Sequence, residues 1–207
     1  MTAETEAELE RRILERLLPL DADAGEPGGS DYDLNPHAPR DGSAPVDAAV
    51  LVALVQRPAG ASVLFTRRTD TLTRHAGQVA FPGGRCDPGE TVGQAAVREA
   101  QEEVGLDPAF VRPLALGERY VTGTGFRIAP VVALVREGFT LAAAPAEVAE
   151  VFEAPWAWLM DPANTEVHAR AWAGGERRFH ALTWEGRYIW GATAGMLAGL
   201  RRRLYGA

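Results

Sequence analysis

The sequence predicts an α/β domain over residues 46–207, preceded by an N-terminal helix and a flexible arm over residues 1–45. Three observations indicate this fold. Val- and Leu-rich runs predict strands, the segment "TVGQAAVREAQEEV" between them predicts a helix, and "IWGATAGMLAGLRRRLYG" predicts a closing amphipathic helix. A chain of 207 residues is long enough to bury a substantial core in one such domain.

The N-terminal arm has its own composition. Residues 4–18 place Leu9, Ile13 and Leu17 at helical spacing, which predicts a short amphipathic helix. The following segment, "PLDADAGEPGGSDYDLNPHAPRDGSAP", is dense in Pro, Gly, Asp and Ser and predicts a loop or mobile linker. Nothing in that segment, including His37, indicates catalysis.

The strands follow from alternation and turn signals. "VDAAVLVALVQ" and "ASVLFTRR" flank the turn "RPAG" and predict a hairpin, and "EVHARAWAGGERRFHALTW" predicts another that turns at Gly174–Gly175. "LALGERYVT" and "RIAPVVALVREGF" predict two more strands, with Pro130 interrupting the second near its start. "EVAEVFEAPWAWLM" predicts a strand that leads into a short helix. Trp190, at the start of the closing helix, is interpreted as a core anchor rather than as a platform for a ligand, and is left out of the predicted site.

Composition excludes several classes of function. The net charge of −7 and the pI near 5.2 argue against a nucleic-acid or membrane-surface binder. The single cysteine, Cys86, allows no intrachain disulfide and fits a reducing compartment. No apolar run approaches the length of a transmembrane span, and the acidic N-terminus does not resemble a signal peptide. We expect a cytoplasmic protein with a small-molecule substrate and leave its oligomeric state open.

The predicted central helix concentrates negative charge. Glu99, Glu102 and Glu103 share one helical face, where like charges three and four residues apart repel. Carboxylate oxygens are the ligands that Mg²⁺ and Mn²⁺ prefer, and a bound cation would compensate the repulsion. A glutamate-rich helix is more often a solvated face. Here the glycine-rich loop before the helix, the Arg98 beside the cluster and the Gly105 after it favour a metal site instead.

The same stretch resembles a known family motif. It fits the pattern G-x5-E-x7-R-E-U-x-E-E-x-G-U of the Nudix box, in which U is apolar. The matching residues are Gly84, Glu90, Arg98, Glu99, Ala100, Glu102, Glu103, Gly105 and Leu106. The resemblance implies a Nudix hydrolase, an α/β/α sandwich with a mixed sheet in which water attacks a phosphorus of a nucleoside diphosphate derivative. It further implies that Glu99, Glu102 and Glu103, with the carbonyl of Gly83, hold Mg²⁺ or Mn²⁺.

Hydrolysis also needs a carboxylate that takes a proton from the attacking water. Glu99 is one candidate on the helix. "AEVAEVFEAPW" offers Glu147, Glu150 and Glu153, and Glu147 is our first choice because relatives often place a glutamate shortly before this strand. A charged residue at a strand edge is the alternative interpretation of Glu147.

A segment ahead of the motif resembles coenzyme A pyrophosphatases. "LFTRRTDTLTRHAGQVAFPGG" is similar to L-L-T-x-R-[SA]-x3-R-x3-G-x3-F-P-G-G, except that Phe65, Thr69 and Thr73 depart from the pattern. "TGTGFRIAPVVALV" and "YIWGATAGMLAGL" resemble further segments of that subfamily. The resemblance and the local basic charge together predict a set of substrate-binding residues. These are Arg67, Arg68, Arg74, His75, Gly77, Phe81 and Gly84.

Two other functions stay open. The Thr73 departure allows a Nudix enzyme for another substrate, such as ADP-ribose, a dinucleotide or a nucleoside triphosphate. A catalytically idle Nudix fold that serves as a sensor or interaction module is the third hypothesis, although idle relatives usually lose one of the glutamates.

Overall fold

A computed structural model describes residues 4–22, 28–40, 42–70, 76–172 and 175–207. Its helices are α1 (Glu6–Arg16), α2 (Val92–Val104), α3 (Trp156–Leu159) and α4 (Ala192–Tyr205). Its strands are β1 (Gly29–Ser30), β2 (Val46–Val55), β3 (Ser62–Arg68), β4 (Val79–Ala80), β5 (Gly83–Arg85), β6 (Val111–Leu116), β7 (Tyr120–Val121), β8 (Phe126–Val135), β9 (Val148–Pro155), β10 (Glu166–Trp172), β11 (Gly175–Trp184) and β12 (Arg187–Trp190).

The large sheet is mixed, as the sequence predicts. Its central pair, β2 and β8, is parallel along its full length from Val46 opposite Phe126 to Val55 opposite Val135. The hairpin of β2 and β3 is antiparallel, and β3 also pairs with β4 and β9. β5 pairs with the start of β2, which brings Gly83 opposite Val50. This pairing places the glycine loop beside the central strand β2.

Helices cover both faces of this sheet. Successive side chains of β2 point to opposite faces of the sheet, so alternate residues share a face. Ala49, Leu51 and Ala53 pack with Ala96 and Ala100 of α2. The intervening residues of β2 belong to a second core cluster that includes side chains of α1 and α4, among them Val50, Val52, Leu9, Ile13, Leu197 and Leu200. The result is an α/β/α sandwich, and the predicted fold class is confirmed.

The N-terminal arm contacts the domain at several points. Leu9 and Ile13 of α1 are fully buried in the second core cluster. The segment predicted as a loop contains the short strand β1, which pairs in parallel with β7. Asp31 accepts hydrogen bonds from the Tyr120 hydroxyl at 2.9 Å and the Gly123 amide at 2.7 Å.

Two local predictions differ from the structure. β8 runs without a break through Pro130, which pairs with Val50 of β2 and whose carbonyl accepts from the Gly117 amide at 2.8 Å. Trp190 is the last residue of β12 and precedes α4, because Gly191, with φ 65°, separates the strand from the helix. In the described ranges no helix is long and apolar enough to cross a membrane.

Candidate functional site

Both ends of helix α2 are capped, so the positions of its acidic residues along the helix are well defined. Thr91 is the N-cap and forms a reciprocal capping box with Gln94. Gly105 ends the helix in the left-handed conformation, with φ 67° and ψ 19°. The predicted helix and its predicted C-cap are both present. Its apolar face, including Ala96 and Ala100, packs on β2 and leaves the glutamates at the edge of the glycine loop.

Glu99 lies against the backbone of Gly84. A Cβ atom built on Gly84 would be 2.5 Å from the carboxyl carbon of Glu99, closer than side chains tolerate. Burial is the main cause that raises the pKa of Glu99, Arg98 lowers it, and the charges of Glu102 and Glu147 raise it further. The absent side chain at Gly84 therefore makes room for this carboxylate.

Glu103 is the most buried of the three helix carboxylates, with only 7% of the residue exposed. It accepts a hydrogen bond from the Gly83 amide at 3.3 Å, and Arg68 Nη1 lies 3.8 Å from its Oε1. Burial raises the pKa of Glu103 to about 7, with Gly83 and Arg68 opposing the shift and Glu99 and Glu147 adding to it. Negative charge at this position is thus poorly compensated by the chain alone.

Arg98 connects the acidic residues to one another. Its guanidinium donates to Glu90 through two bonds of 2.9 Å, to Glu99 at 2.9 Å and to Glu102 at 3.2 Å. It also donates to the carbonyl of Arg85 at 3.0 Å, which ties the helix to the loop before it. The hydrogen bonds to Glu90 and Glu99 raise the pKa of Arg98 further, and its guanidinium is a permanent cation. Glu90 thereby joins the site by orienting Arg98.

The donor chemistry of the site fits a hard divalent cation. Within the described ranges, no three His, Cys, Asp or Glu side chains are already arranged as a metal-ligand set. Glu99 and Glu102 are held by Arg98, and Glu102 keeps 60% of its side chain exposed. However, the carboxylate oxygens of Glu99 and Glu103 lie beside the backbone of Gly83–Gly84. Burial there disfavours the charged form of both carboxylates. Carboxylate and carbonyl oxygens in such a setting are suitable ligands for Mg²⁺ or Mn²⁺.

Glu147 lies at the same end of α2. Its charge contributes to raising the pKa of both Glu99 and Glu103. The turn that carries it is fixed by backbone bonds, from the Ala144 amide to the Glu103 carbonyl at 2.8 Å and from the Thr69 amide to the Glu147 carbonyl at 3.0 Å. Its side chain is exposed. Glu147 is therefore an exposed carboxylate beside Glu99 and Glu103, and no ion pair joins it to another of the described residues.

The other two glutamates offered by that strand have different partners. Glu150 bonds Arg67 at 3.2 Å and Arg187 at 2.7 Å. Glu153 pairs with Arg57 and accepts from the Ser62 hydroxyl. Ion pairs lower the pKa of Glu150, and the bonds from Arg57 and Ser62 outweigh burial in lowering that of Glu153.

The predicted basic cluster is divided between two partners. Arg67 and Arg68 are consecutive in β3, and Arg67 contacts Glu150 whereas Arg68 contacts Glu103. The Arg68 Nε atom is buried and has no hydrogen-bond partner among the described residues. Arg74 and His75, with the departing Thr73, lie outside the described residues. Of the two predicted cations in β3, Arg68 is the one that contacts the acidic helix, through Glu103.

Two further predicted substrate residues have clear structural settings. Gly77 adopts φ 67°, and a Cβ there would be 2.9 Å from Asp70 Oδ1. Phe81 is 2% exposed and stacks on Phe65 with ring centroids 5.0 Å apart, so it belongs to the core beneath the glycine loop. Gly83 leaves no space for a side chain, because a Cβ would be 2.4 Å from the Ala49 carbonyl oxygen.

Sequence reasoning missed an aromatic group on the second sheet. Tyr188 and Trp190 lie two residues apart in β12; Tyr188 contacts the His168 ring of β10, and Trp190 contacts the Phe179 ring of β11. The alternation of aromatic residues in "RYIW" was the available signal, because residues two apart share one face of a strand. Placing Trp190 in a helix hid that alternation.

The protein is an α/β/α sandwich in which a carboxylate-bearing helix lies beside a glycine loop. Comparison with known proteins identifies the family that has this arrangement. Residues 45–174 match the family model described as the NUDIX domain. The chain is 35% identical over 167 residues to a Yersinia enterocolitica protein called "Uncharacterized Nudix hydrolase NudL", covering 76% of this chain and 80% of that one. It is 38% identical over 154 residues to a Cronobacter sakazakii protein of the same name, covering 72% and 78%.

Among solved structures, the chain resembles the Nudix hydrolase RenU from M. smegmatis, with 27% identity, a TM-score of 0.47 and coverage of 56% of this chain and 73% of that one. The family model and the NudL relatives show that the chain belongs to the Nudix hydrolase family. It is a Nudix pyrophosphohydrolase, a hydrolase of nucleoside diphosphate derivatives.

Proposed function

We propose that this Nudix hydrolase cleaves the central diphosphate of coenzyme A, or of its acyl or oxidised forms, in a reducing cytoplasm. The products are 3′,5′-ADP and 4′-phosphopantetheine or its derivative. The observation that carries the proposal is the approach of Arg68 to Glu103 at 3.8 Å. Through this contact, the segment that resembles coenzyme A pyrophosphatases meets the acidic helix.

Glu99, Glu102 and Glu103, with the carbonyl of Gly83, are proposed to hold Mg²⁺ or Mn²⁺. When bound there, the ion would supply charge neutralisation for the diphosphate and would activate the attacking water. The uncompensated negative charge at Glu103 and the tight approach of Gly84 to Glu99 support this role. Because Arg98 already holds Glu99 and Glu102, we propose that it orients both carboxylates toward the metal.

Arg68 is proposed to bind a phosphate oxygen of the substrate. Its Nε atom lacks a partner among the described residues, and a buried guanidinium N–H without an acceptor is costly. A guanidinium matches phosphate geometry through paired donors. Arg67 is paired with Glu150, so its part in substrate binding requires a rearrangement of that pair. Arg74, His75, Gly77, Phe81 and Gly84 remain proposed members of the substrate site, Phe81 by supporting the loop.

Glu147 is proposed as the group that accepts a proton from the attacking water. It is exposed, its charge raises the pKa of Glu99 and Glu103, and among the described residues it has no ion pair like those that hold Glu150 and Glu153. In-line phosphoryl transfer depends mainly on positioning and charge stabilisation. The loss on changing Glu147→Gln is therefore expected in kcat, with KM little changed.

A substrate panel tests the assignment. kcat/KM is measured with Mg²⁺ and with Mn²⁺ for coenzyme A, ADP-ribose, a diadenosine polyphosphate and a nucleoside triphosphate. The proposal predicts the highest kcat/KM for coenzyme A, and a drop for it in Arg68→Gln that the matched surface variant Arg11→Gln does not share. If ADP-ribose or a dinucleotide is cleaved much faster than coenzyme A, the enzyme is a Nudix hydrolase of that substrate instead.

A further inference from the structure

Four aromatic rings form one continuous surface on the sheet of β10, β11 and β12. His168 is paired directly with Phe179, and Trp190 with Ala181, so register puts the ring-bearing residues on a common face. Centroid distances are 5.2 Å for Phe179–Trp190, 5.7 Å for His168–Tyr188, 6.3 Å for His168–Phe179 and 6.4 Å for Tyr188–Trp190. All are within the range of favourable ring contacts. We call these four residues the aromatic surface.

The aromatic surface is accessible and has fixed polar edges. Tyr188 is 37% exposed, and the other three rings are half-buried. The His168 ring nitrogens lie 2.6 Å from the Tyr188 hydroxyl and 2.6 Å from a carboxylate oxygen of Glu166. A cavity of about 350 Å³ is lined by the four rings with Ala169 and Arg170. The rings are therefore held in place before any ligand arrives.

The aromatic surface adjoins the strand that leads into the glycine loop. The Thr193 hydroxyl, just after β12, donates to the Val79 carbonyl of β4 at 3.2 Å. A second cavity, of about 440 Å³, is lined by Tyr188 and Trp190 together with Arg67 and Gly77. Gly83 follows Val79 by four residues, a span of at most about 14 Å of extended chain. One extended ligand can thus reach both the aromatic surface and the loop at Glu103.

The chemistry of the aromatic surface suits a nucleobase attached to phosphate. Flat bases stack on aromatic side chains whatever their identity, and Trp, Tyr and His all provide such faces. Arg170 at the rim supplies a cation in a chain whose net charge is −7. A guanidinium beside stacked rings pairs well with a phosphate on the ribose. The aliphatic pantetheine arm of coenzyme A has no group that would select four stacked rings.

We infer that the aromatic surface binds the adenine ring of the substrate, with Tyr188 and Trp190 stacking on the base and Arg170 contacting the ribose phosphate. The assignment rests on the proposed function, since coenzyme A supplies an adenine joined through a phosphorylated ribose to the scissile diphosphate. It makes Tyr188 and Trp190 residues that determine specificity for a substrate carrying a base.

Calorimetric titration of metal-free protein with adenosine 3′,5′-bisphosphate and with ribose 5-phosphate tests the inference directly. The variants are Tyr188→Ala, Trp190→Ala and Trp190→Phe, and the control is Val167→Ala, an exposed position on the opposite face of β10. We expect Tyr188→Ala and Trp190→Ala each to weaken binding of the bisphosphate on the order of 10-fold. Trp190→Phe and Val167→Ala should stay near wild type, and ribose 5-phosphate should bind all variants alike.

Steady-state kinetics separates this inference from the proposed function. The inference predicts that Tyr188→Ala raises KM for coenzyme A while kcat stays within about twofold, because the change removes binding remote from the reacting atoms. Cleavage of coenzyme A with unchanged KM in both alanine variants would overturn the aromatic surface as a base site and leave the proposed function intact. If the protein does not cleave coenzyme A but binds the bisphosphate in a way that depends on Tyr188, the proposed function is wrong and the aromatic surface remains a base site.

Self-association is the competing use of an exposed aromatic surface. Light scattering after size-exclusion chromatography measures the mass of wild type and Tyr188→Ala. If the change converts a dimer to a monomer while binding of the bisphosphate stays unchanged, the surface is an interface between copies and the inference is overturned. An unchanged mass with weakened binding supports the base site.

Discussion

The backbone of Gly84 and the carboxylate of Glu99 occupy adjoining space, since a Cβ on Gly84 would lie 2.5 Å from the Glu99 carboxyl carbon. Gly84 does not have a positive φ, so what matters at this position is the close approach of the Glu99 carboxylate and not the backbone conformation. The same carboxylate is held from the other side by Arg98 at 2.9 Å. The Glu99 carboxylate thus lies between the Gly84 backbone and the Arg98 guanidinium, in space that a side chain at residue 84 would occupy.

Gly84→Ala is expected to displace the Glu99 carboxylate and lower kcat on the order of 100-fold, since misplacing a reacting group by about 1 Å has such an effect. Gly93→Ala in the first turn of α2 is the matched control, because the nearest atom to its Cβ would be 4.0 Å away. Steady-state rates of both variants check this. Full activity in Gly84→Ala would mean that Glu99 is not needed where it lies.

Arg98→Lys should lower kcat roughly 10- to 100-fold, the usual effect of losing a residue that orients a metal ligand. A lysine ammonium cannot reproduce the paired bonds to Glu90 together with those to Glu99 and Glu102. Calorimetric titration with Mn²⁺ measures the accompanying loss of metal affinity. Arg11→Lys, in an exposed pair with Glu15, is the control, and equal Mn²⁺ affinity in all three proteins would refute an orienting role for Arg98.

Two glycines of α4 are predicted to respond oppositely to the same substitution. Gly199→Ala should raise the free energy of unfolding by about 0.5–1 kcal/mol, because a Cβ there has space and alanine favours the helix. Gly195→Ala should lower it by about 1–3 kcal/mol, because the Cβ would be 2.5 Å from the Tyr120 ring. Urea denaturation measures both. A stabilised Gly195→Ala variant would show that α4 does not pack on Tyr120 as described.

His180 makes stability depend on pH. Burial lowers the pKa of His180, Arg201 and Arg202 lower it further, and Asp33 opposes the shift. Below its ordinary value of 6.5 the unfolded chain binds a proton that the folded chain resists, so stability falls as pH decreases through that value. We expect the wild type to lose more free energy of unfolding between pH 7.5 and pH 5.5 than His180→Gln. Parallel pH profiles for the two proteins would contradict this.

The most predictable parts of the protein are those set by local sequence. Helix α2, its cap at Gly105 and the alignment of Glu99, Glu102 and Glu103 follow from spacing within one short segment. The same holds for the β2–β3 hairpin, whose turn and alternating strands are contiguous.

The remaining features depend on contacts between distant residues. Arg67 and Arg68 are equivalent cations in the sequence, and only the tertiary structure assigns Arg67 to Glu150 of the paired strand β9 and Arg68 to Glu103 of α2. Phe81 lies in a motif associated with substrate yet packs on Phe65. The aromatic surface combines residues of three strands, so no single segment reveals it.

Product analysis after incubation with coenzyme A and Mg²⁺ tests the central claim most directly. Mass spectrometry should identify 3′,5′-ADP and 4′-phosphopantetheine in equal amounts from the wild type and from the surface control Glu15→Gln. Glu103→Gln should form them at least about 100-fold more slowly, because it removes a proposed metal ligand. If the wild type forms no 3′,5′-ADP, coenzyme A is not the substrate. If Glu103→Gln forms it at the wild-type rate, the proposed metal site is wrong.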